Sequence, residues 1–160
     1  MNSWKNYIWK VPLYCWIAGI IDFHLSLRML SWTLLRLPDG TITSDNTKSI
    51  IVYAIIFMVS FFIGGFVFFR KMTKKEIFYS TSVLTVYGIL LALVQKMFHI
   101  TSGFAVMWML HLWQPFEMFS FFSQLLSNLG VNLWVVIFIE IFTPYLFIFF
   151  GKKKIFTAVF

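Results

Sequence analysis

Cysteine occurs once, at Cys15, so the chain carries no intrachain disulfide, no CxxC redox pair and no cysteine-based zinc site. Charge is scarce as well. Asp, Glu, Lys and Arg make up 12% of the 160 residues, against about 25% in a typical soluble domain. Neither an HExxH zinc motif nor a glycine-rich phosphate loop occurs, and no serine-triad pattern appears. Hydrolytic and nucleotide-dependent chemistry therefore has no signature here, and an enzyme is the weakest reading. His99, His111 and Glu117 are the nearest approach to a metal set, but "HLWQPFE" is too loose a spacing for a zinc motif. A haem needs two histidines at matched depth, and His24 lies deeper than His99. No metal, cofactor or catalytic residue is assigned.

What replaces charge is apolar bulk. Hydrophobic residues reach 60%, with 21 Phe and 7 Trp, more than a core of this size can hide. Lipid is the solvent such a surface needs, since about 20 consecutive apolar residues span a bilayer. The formal charge of +7 would suit nucleic acid, but the lysines sit in short gaps between apolar runs rather than along one polar face. That placement is a membrane topology signal, and nucleic acid is excluded as a partner.

The expected fold is all-α: a polytopic integral membrane protein of one domain, residues 1–160, with spans at about 11–35, 50–69, 77–97 and 131–150. The N-terminal "MNSWKNYIWK" has the charge order of a signal peptide, but no small-x-small cleavage site follows, so it reads as the start of a retained span. Pro38 ends the first helix in a polar loop, "RKMTKKE" is a tight basic hairpin, and "TKKE" (Thr73 to Glu76) is a capping box opening the third helix.

Between the third and fourth spans lies an amphipathic segment, about 104–127, which charge counting assigns. With four spans and both termini cytoplasmic, Lys5, Lys10, Arg70, Lys71, Lys74, Lys75, Lys152, Lys153 and Lys154 fall inside, and only Arg36, Lys48 and Lys96 outside. A fifth span at 104–126 divides the same charges evenly. The segment is therefore expected to be broken at Gln114-Pro115, lying in the outer interface or dipping in as a re-entrant pair. His111, Gln114, Glu117, Ser120, Gln124 and Ser127 draw one polar stripe along it.

The stretch "IIDFHLSLR" (Ile20 to Arg28) puts an acid, an imidazole and a guanidinium inside the first span. On a helix, His24, Arg28 and Ser31 share one line, and Asp22 lies on the opposite line with Cys15 and Ala18. Both faces should be covered, by the bundle or by a subunit interface. Thr81, Thr85, Gly88, Ala92, Gln95 and His99 form a matching stripe on the third span, and Ser60 and Gly64 on the second; small residues there serve close helix packing. Glu140 sits mid-way along the fourth span, with Pro144 four residues on and unable to bond its carbonyl.

Ionisable groups at this depth are costly and are read as functional unless they pair. One outcome is a structural ion pair of Arg28 or His24 with Glu140. The other is an outward-facing pocket that binds or transports a small or amphipathic ligand. Its floor would be Asp22, His24, Arg28 and Glu140; its mouth Gln95, His99, His111, Gln114 and Glu117. Arg28 would hold an anionic group, and Asp22 and Glu140 would exchange protons with the ligand. From a different class comes a non-catalytic accessory or scaffold subunit. The partners implied are membrane lipid, the ligand, and a second copy or another membrane protein.

Overall fold

The computed structural model describes residues 7–100 and 102–152. Lys5, Lys153 and Lys154, three of the charges that orient the chain, lie outside the described residues. The protein is mostly helical: α1 (Lys10–Thr33), α2 (Asn46–Ile63), α3 (Lys74–Met97), α4 (Phe104–Glu117), α5 (Ser120–Asn128) and α6 (Leu133–Phe142). α2 and α6 each run on, α2 in wider π-type turns over Gly64–Phe69 and α6 in tighter 3-10 turns over Thr143–Phe150. Three of the resulting helices are long and apolar enough to cross a membrane, namely Asn46–Phe69, Lys74–Met97 and Leu133–Phe150. Their outward positions are apolar: Ile55 and Phe66 on the first, Val86 and Leu90 on the second, Phe138 and Phe149 on the third. A soluble chain rarely exposes apolar surface on this scale.

The sequence places a loop after α1, and a small ribbon forms there instead. β1 (Leu34–Arg36) pairs antiparallel with β2 (Ile42–Ser44), Leu34 opposite Ser44. Asp39 closes the turn by accepting from the Thr41 backbone N–H at 2.9 Å and its hydroxyl at 2.7 Å. Those two bonds, the hydroxyl's first, hold the Asp39 carboxyl below its usual range. Asp45 caps α2 by accepting from the Lys48 N–H at 3.1 Å, and that bond likewise holds its carboxyl low.

At the opposite end the expected capping box is present. Thr73 and Glu76 exchange side-chain and backbone hydrogen bonds at the start of α3. A single parallel bridge ties Thr73 to Lys152, with the Lys152 N–H bonded to the Met72 carbonyl at 2.9 Å. The basic α2–α3 hairpin and the end of α6 are thus one unit. Ser80 of α3 anchors α1 beside them, accepting from the Val11 N–H at 3.0 Å and donating to the Ile8 carbonyl at 2.8 Å. One orphan donor of the first α1 turn is satisfied this way.

The core runs along the bundle as interlocked rings: Phe69, Phe116, Phe119 and Phe147 are fully buried. Phe69 meets Phe147 edge-on at 4.7 Å between centroids, within the favoured range for aromatic pairs. Gly64 and Gly65 let these rings approach the backbone. A Cβ at Gly64 would strike Tyr14 and Phe147, and one at Gly65 would strike Phe150.

Two expectations about proline are corrected. α4 continues through Pro115 to Glu117, and the break comes at Met118–Phe119 rather than at Gln114-Pro115. Proline removes a bond to the turn before it, so the helix persists for the residues whose own donors remain and stops shortly after. At Pro144 the carbonyl of Glu140 is not left unpaired. The Thr143 N–H bonds it as the helix tightens, and the Thr143 hydroxyl takes the Ile139 carbonyl at 2.8 Å.

α4 runs antiparallel to α3. Trp113 donates to Gln95 at 3.3 Å, and further along Phe116 packs on Gly88, near the middle of α3. α5 then returns between α2 and α6, with Phe119 and Phe122 against Phe57. The two helices therefore form a hairpin whose turn, Met118–Phe119, is buried in the bundle.

Candidate functional site

Val11, Cys15, Ala18 and Asp22 recur every three or four residues on α1, and all four are buried. Asp22 is 3% exposed. Its Oδ1 accepts from the Ser60 hydroxyl of α2 at 2.9 Å, and its Oδ2 has no partner. Tyr14, two turns earlier, donates its phenol to the Ser60 carbonyl, which fixes that turn of α2 against α1.

The hairpin brings the next carboxyl. Gly19 lies directly under α4: a Cβ there would collide with the Gln114 carbonyl and approach Cβ of Glu117. Only glycine allows that contact, and it seats Glu117 beside the Asp22 face. Glu117 lies within electrostatic range of both Asp22 and Glu140, and of Tyr53 on α2, which shares a hydrogen bond with Ser26. Glu140 of α6 accepts from the Ser123 hydroxyl of α5 at 2.7 Å.

Asp22 on α1 and Glu140 on α6 are thus each held by a hydroxyl donor, from α2 and α5, and Glu117 on α4 lies within electrostatic range of both without the three gathering at one point. No ion pair reaches them among the described residues, where Lys48–Asp45 in the outer loop is the one salt bridge. The expected pairing of Arg28 or His24 with Glu140 is not formed. Arg28 and His24 are exposed on the opposite face of α1, because a helix that packs its Asp22 line inward must turn the other line out. Among the described residues, only one of the two polar faces of α1 is covered.

The residues expected at a pocket mouth do not gather at one point. Gln95 is half-buried and held by Trp113. Gln114 is half-buried and meets Gly19 through its backbone. His111 is exposed, its Nδ1 at 2.8 Å from the Met107 carbonyl one turn back. His99 is exposed in a left-handed turn, φ 46°, at the end of α3. No three His, Cys, Asp or Glu side chains among the described residues converge on a point suited to a metal ion.

Sequence reasoning missed Ser123 and Tyr53. The polar stripe, carried unbroken across the turn, selects Gln124; phased from Ser120 as a new helix start, it also admits Ser123. Nothing in the spacing marks Tyr53. Nor does it mark the apolar groove of about 520 Å³ between α1 and α3, walled by Trp9, Leu13 and Trp16 on one side and Val83, Leu84 and Tyr87 on the other. Pro115, two residues before Glu117, also lines it.

Compared with protein-family models, curated proteins and solved structures, the chain matches none of them. Its function is therefore argued from the site alone.

Proposed function

We propose that this is a small polytopic membrane protein that binds or transports a small or amphipathic ligand. In this reading α1 is a fourth span, α4 and α5 form a re-entrant hairpin entering from the outer side, and both termini are cytoplasmic. Arg70, Lys71, Lys74, Lys75 and Lys152, tied into one unit by the Thr73–Lys152 bridge, support that orientation. The hairpin is supported by lengths: α4 has 14 residues and α5 has 9, about 21 and 14 Å at ~1.5 Å per residue, each short of the ~30 Å hydrocarbon core.

The observation that carries the binding reading is that Asp22, Glu117 and Glu140 all sit on helices packed together in the bundle with, among the described residues, no basic side chain paired to any of them. A purely structural role calls for pairing, because unpaired buried charge destabilises a fold. The groove supplies the apolar half of the site. An amphipathic ligand would lay its apolar part between α1 and α3 and bring its polar group toward Glu117. This moves the site inward from the mouth expected at His99 and His111.

Thermal melting of the detergent-solubilised full chain, against a panel of small organic cations and anions and dodecyl-chain amphiphiles, tests it. A ligand at about a hundred times its Kd stabilises by ~2.7 kcal/mol, and Glu117→Gln is expected to remove that gain. A panel that leaves the melting temperature unchanged overturns the binding reading. The orientation is tested by Asn46→Cys in a Cys15→Ala background. It is expected to react with an impermeant thiol reagent from outside, and labelling only after permeabilisation reverses the topology.

A second reading is favoured by one observation. His24 and Arg28 face outward from α1 among Leu25, Leu27 and Trp32, a surface that suits a second copy or the acidic residue of a partner helix. Stoichiometric co-purification of another membrane protein through this face would make the chain an accessory subunit.

A further inference from the structure

The apolar groove between α1 and α3 lies on the outside of the bundle. Trp9, Leu13 and Trp16 on its α1 wall are all exposed, and buried Leu84 of α3 forms its floor. At about 520 Å³ it is the size of an ordinary ligand site, and its lining is almost wholly apolar. Such a hollow stays dry, because water entering it would find no polar partners. Left empty, its walls would forfeit the dispersion contacts that a filled one makes. On the membrane placement proposed above, the medium at its open side is lipid, so acyl chain is the filler present at the highest concentration.

The two ends of the groove differ. Ser80 of α3 bonds the start of α1, so the two helices leave the same end of the bundle side by side. Trp9 therefore marks the end shared with the basic hairpin. There the Lys75 Nζ stands 5.7 Å from the centre of the Tyr79 ring, one turn below Val83, and the Lys10 Nζ stands 4.5 Å from that of Tyr7. Neither lysine meets a carboxylate among the described residues. Glu76, the acid of this end, is committed to Thr73 in the capping box. The far end is closed. Pro115 lines it, and the Tyr87 hydroxyl donates to the Leu112 carbonyl at 2.9 Å, tying α3 to α4 there.

We infer that the groove holds one acyl chain of a phospholipid whose anionic headgroup is drawn to Lys75 and Lys10. Length agrees with this orientation. Lys75 to Tyr87 measures about 18 Å of helix at ~1.5 Å per residue, against ~15 Å for one leaflet of a ~30 Å hydrocarbon core. A chain entering at the lysines thus ends against Pro115 near the bilayer middle, with Trp9 and Tyr79 at headgroup level, where such rings are favoured. A free apolar molecule would leave the lysines unanswered, and a free anion would leave the groove empty; a phospholipid answers both. A second copy laid side by side would bring its own lysines to the same end, like charge against like. The inference rests on the membrane placement of the binding reading and shares its groove, but makes no use of the carboxyl groups. A ligand lying there has to displace the chain.

Electron paramagnetic resonance of the full chain in phosphatidylcholine nanodiscs tests this, with trace spin-labelled phosphatidylglycerol or phosphatidylcholine as the probe. Phosphatidylglycerol is expected to show a several-fold larger motionally restricted fraction than phosphatidylcholine. Val83→Trp, which fills the groove, should remove that excess, and Lys75→Gln should reduce it. Equal fractions in the wild-type protein overturn the proposal without any variant, so a variant that fails to fold leaves it falsifiable. An excess that Val83→Trp leaves intact also overturns it, since the headgroup is then held by surface lysines and the groove is unused. Nanodiscs that hold two copies and show no excess overturn it in favour of a second copy. An excess without ligand-dependent stabilisation defeats only the binding reading. Ligand stabilisation with equal fractions defeats only the lipid site, and a chain that enters no bilayer defeats both.

Discussion

Asp22 and Arg28 stand six residues apart on α1 and meet opposite surroundings. Asp22 is short and is held inside the bundle by the Ser60 hydroxyl, which donates to its Oδ1. Arg28 has a long stem and five donors, and lies on the exposed face one turn from the end of the helix. If α1 is a fourth span, as proposed, a short acid within it depends on a neighbour to bring a donor to it, whereas a long base near its end reaches the headgroup region by itself. Spacing alone makes both look like members of one site. The difference lies in reach.

The sharpest way to break this contrast is to lift the hairpin off α1. Gly19→Leu places a side chain where the Gln114 carbonyl lies, and backbone cannot give way as a flexible side chain would. A loss of about 3 kcal/mol or more is expected, read as a collapse of monodisperse yield and melting temperature. Wild-type melting in this variant would mean that the buried face of α1 is not packed on α4.

Next in size is the Asp22 bond itself. Asp22→Ala leaves the Ser60 hydroxyl without its acceptor and should cost about 1–3 kcal/mol, while Asp22→Asn, which keeps an acceptor, should cost less. Ser60→Ala in the Asp22→Ala background should add little, so the double-mutant cycle reports coupling; additive losses would remove Ser60 as the partner.

Arg28→Gln makes the opposite case. Exposed and unpaired among the described residues, it should stay within about 0.5 kcal/mol of the parent in a monomeric detergent preparation. A larger loss, or a change of oligomeric state, would show that the outward face of α1 is covered by another chain.

The smallest effect belongs to the outer ribbon. The carboxyls of Asp39 and Asp45 are held low by their hydrogen bonds, so each favours the folded loop above the ordinary carboxylate range and loses that contribution as pH falls through its own lowered value. Protection of the Thr41 and Lys48 amides, measured against an unstructured amide at the same pH, should therefore persist through mildly acid pH and fall only below the usual carboxylate range. Loss of that protection already within the usual carboxylate range would place these bonds outside the folded loop.

Much of the helical framework was legible because apolar run length and capping are local properties. The runs at 50–69 and 77–97 correspond to helices Asn46–Phe69 and Lys74–Met97, and the Thr73–Glu76 cap starts where its spacing placed it. Less legible was anything that depends on which neighbour arrives. Periodicity gives α1 two polar lines but cannot say which one Ser60 and Glu117 will meet. The break in 104–127 comes later than Pro115 predicts, because a helix can run on for the residues just after a proline. Asp22, Glu117 and Glu140 each stand out as isolated acids in apolar sequence; that Glu117 comes to lie against α1 follows from Gly19 admitting α4, a long-range contact no window of sequence contains.

The two-residue connection at Met118–Phe119 bears on how the chain is made. On the re-entrant reading, α4 and α5 are too short to be halted as spans by the insertion machinery, and the last wall of their seat, α6 with Glu140, leaves the ribosome after both. A nascent chain stopped before residue 133 would carry the hairpin with no place to dock, so biogenesis must finish with a late rearrangement inside the bilayer rather than span by span.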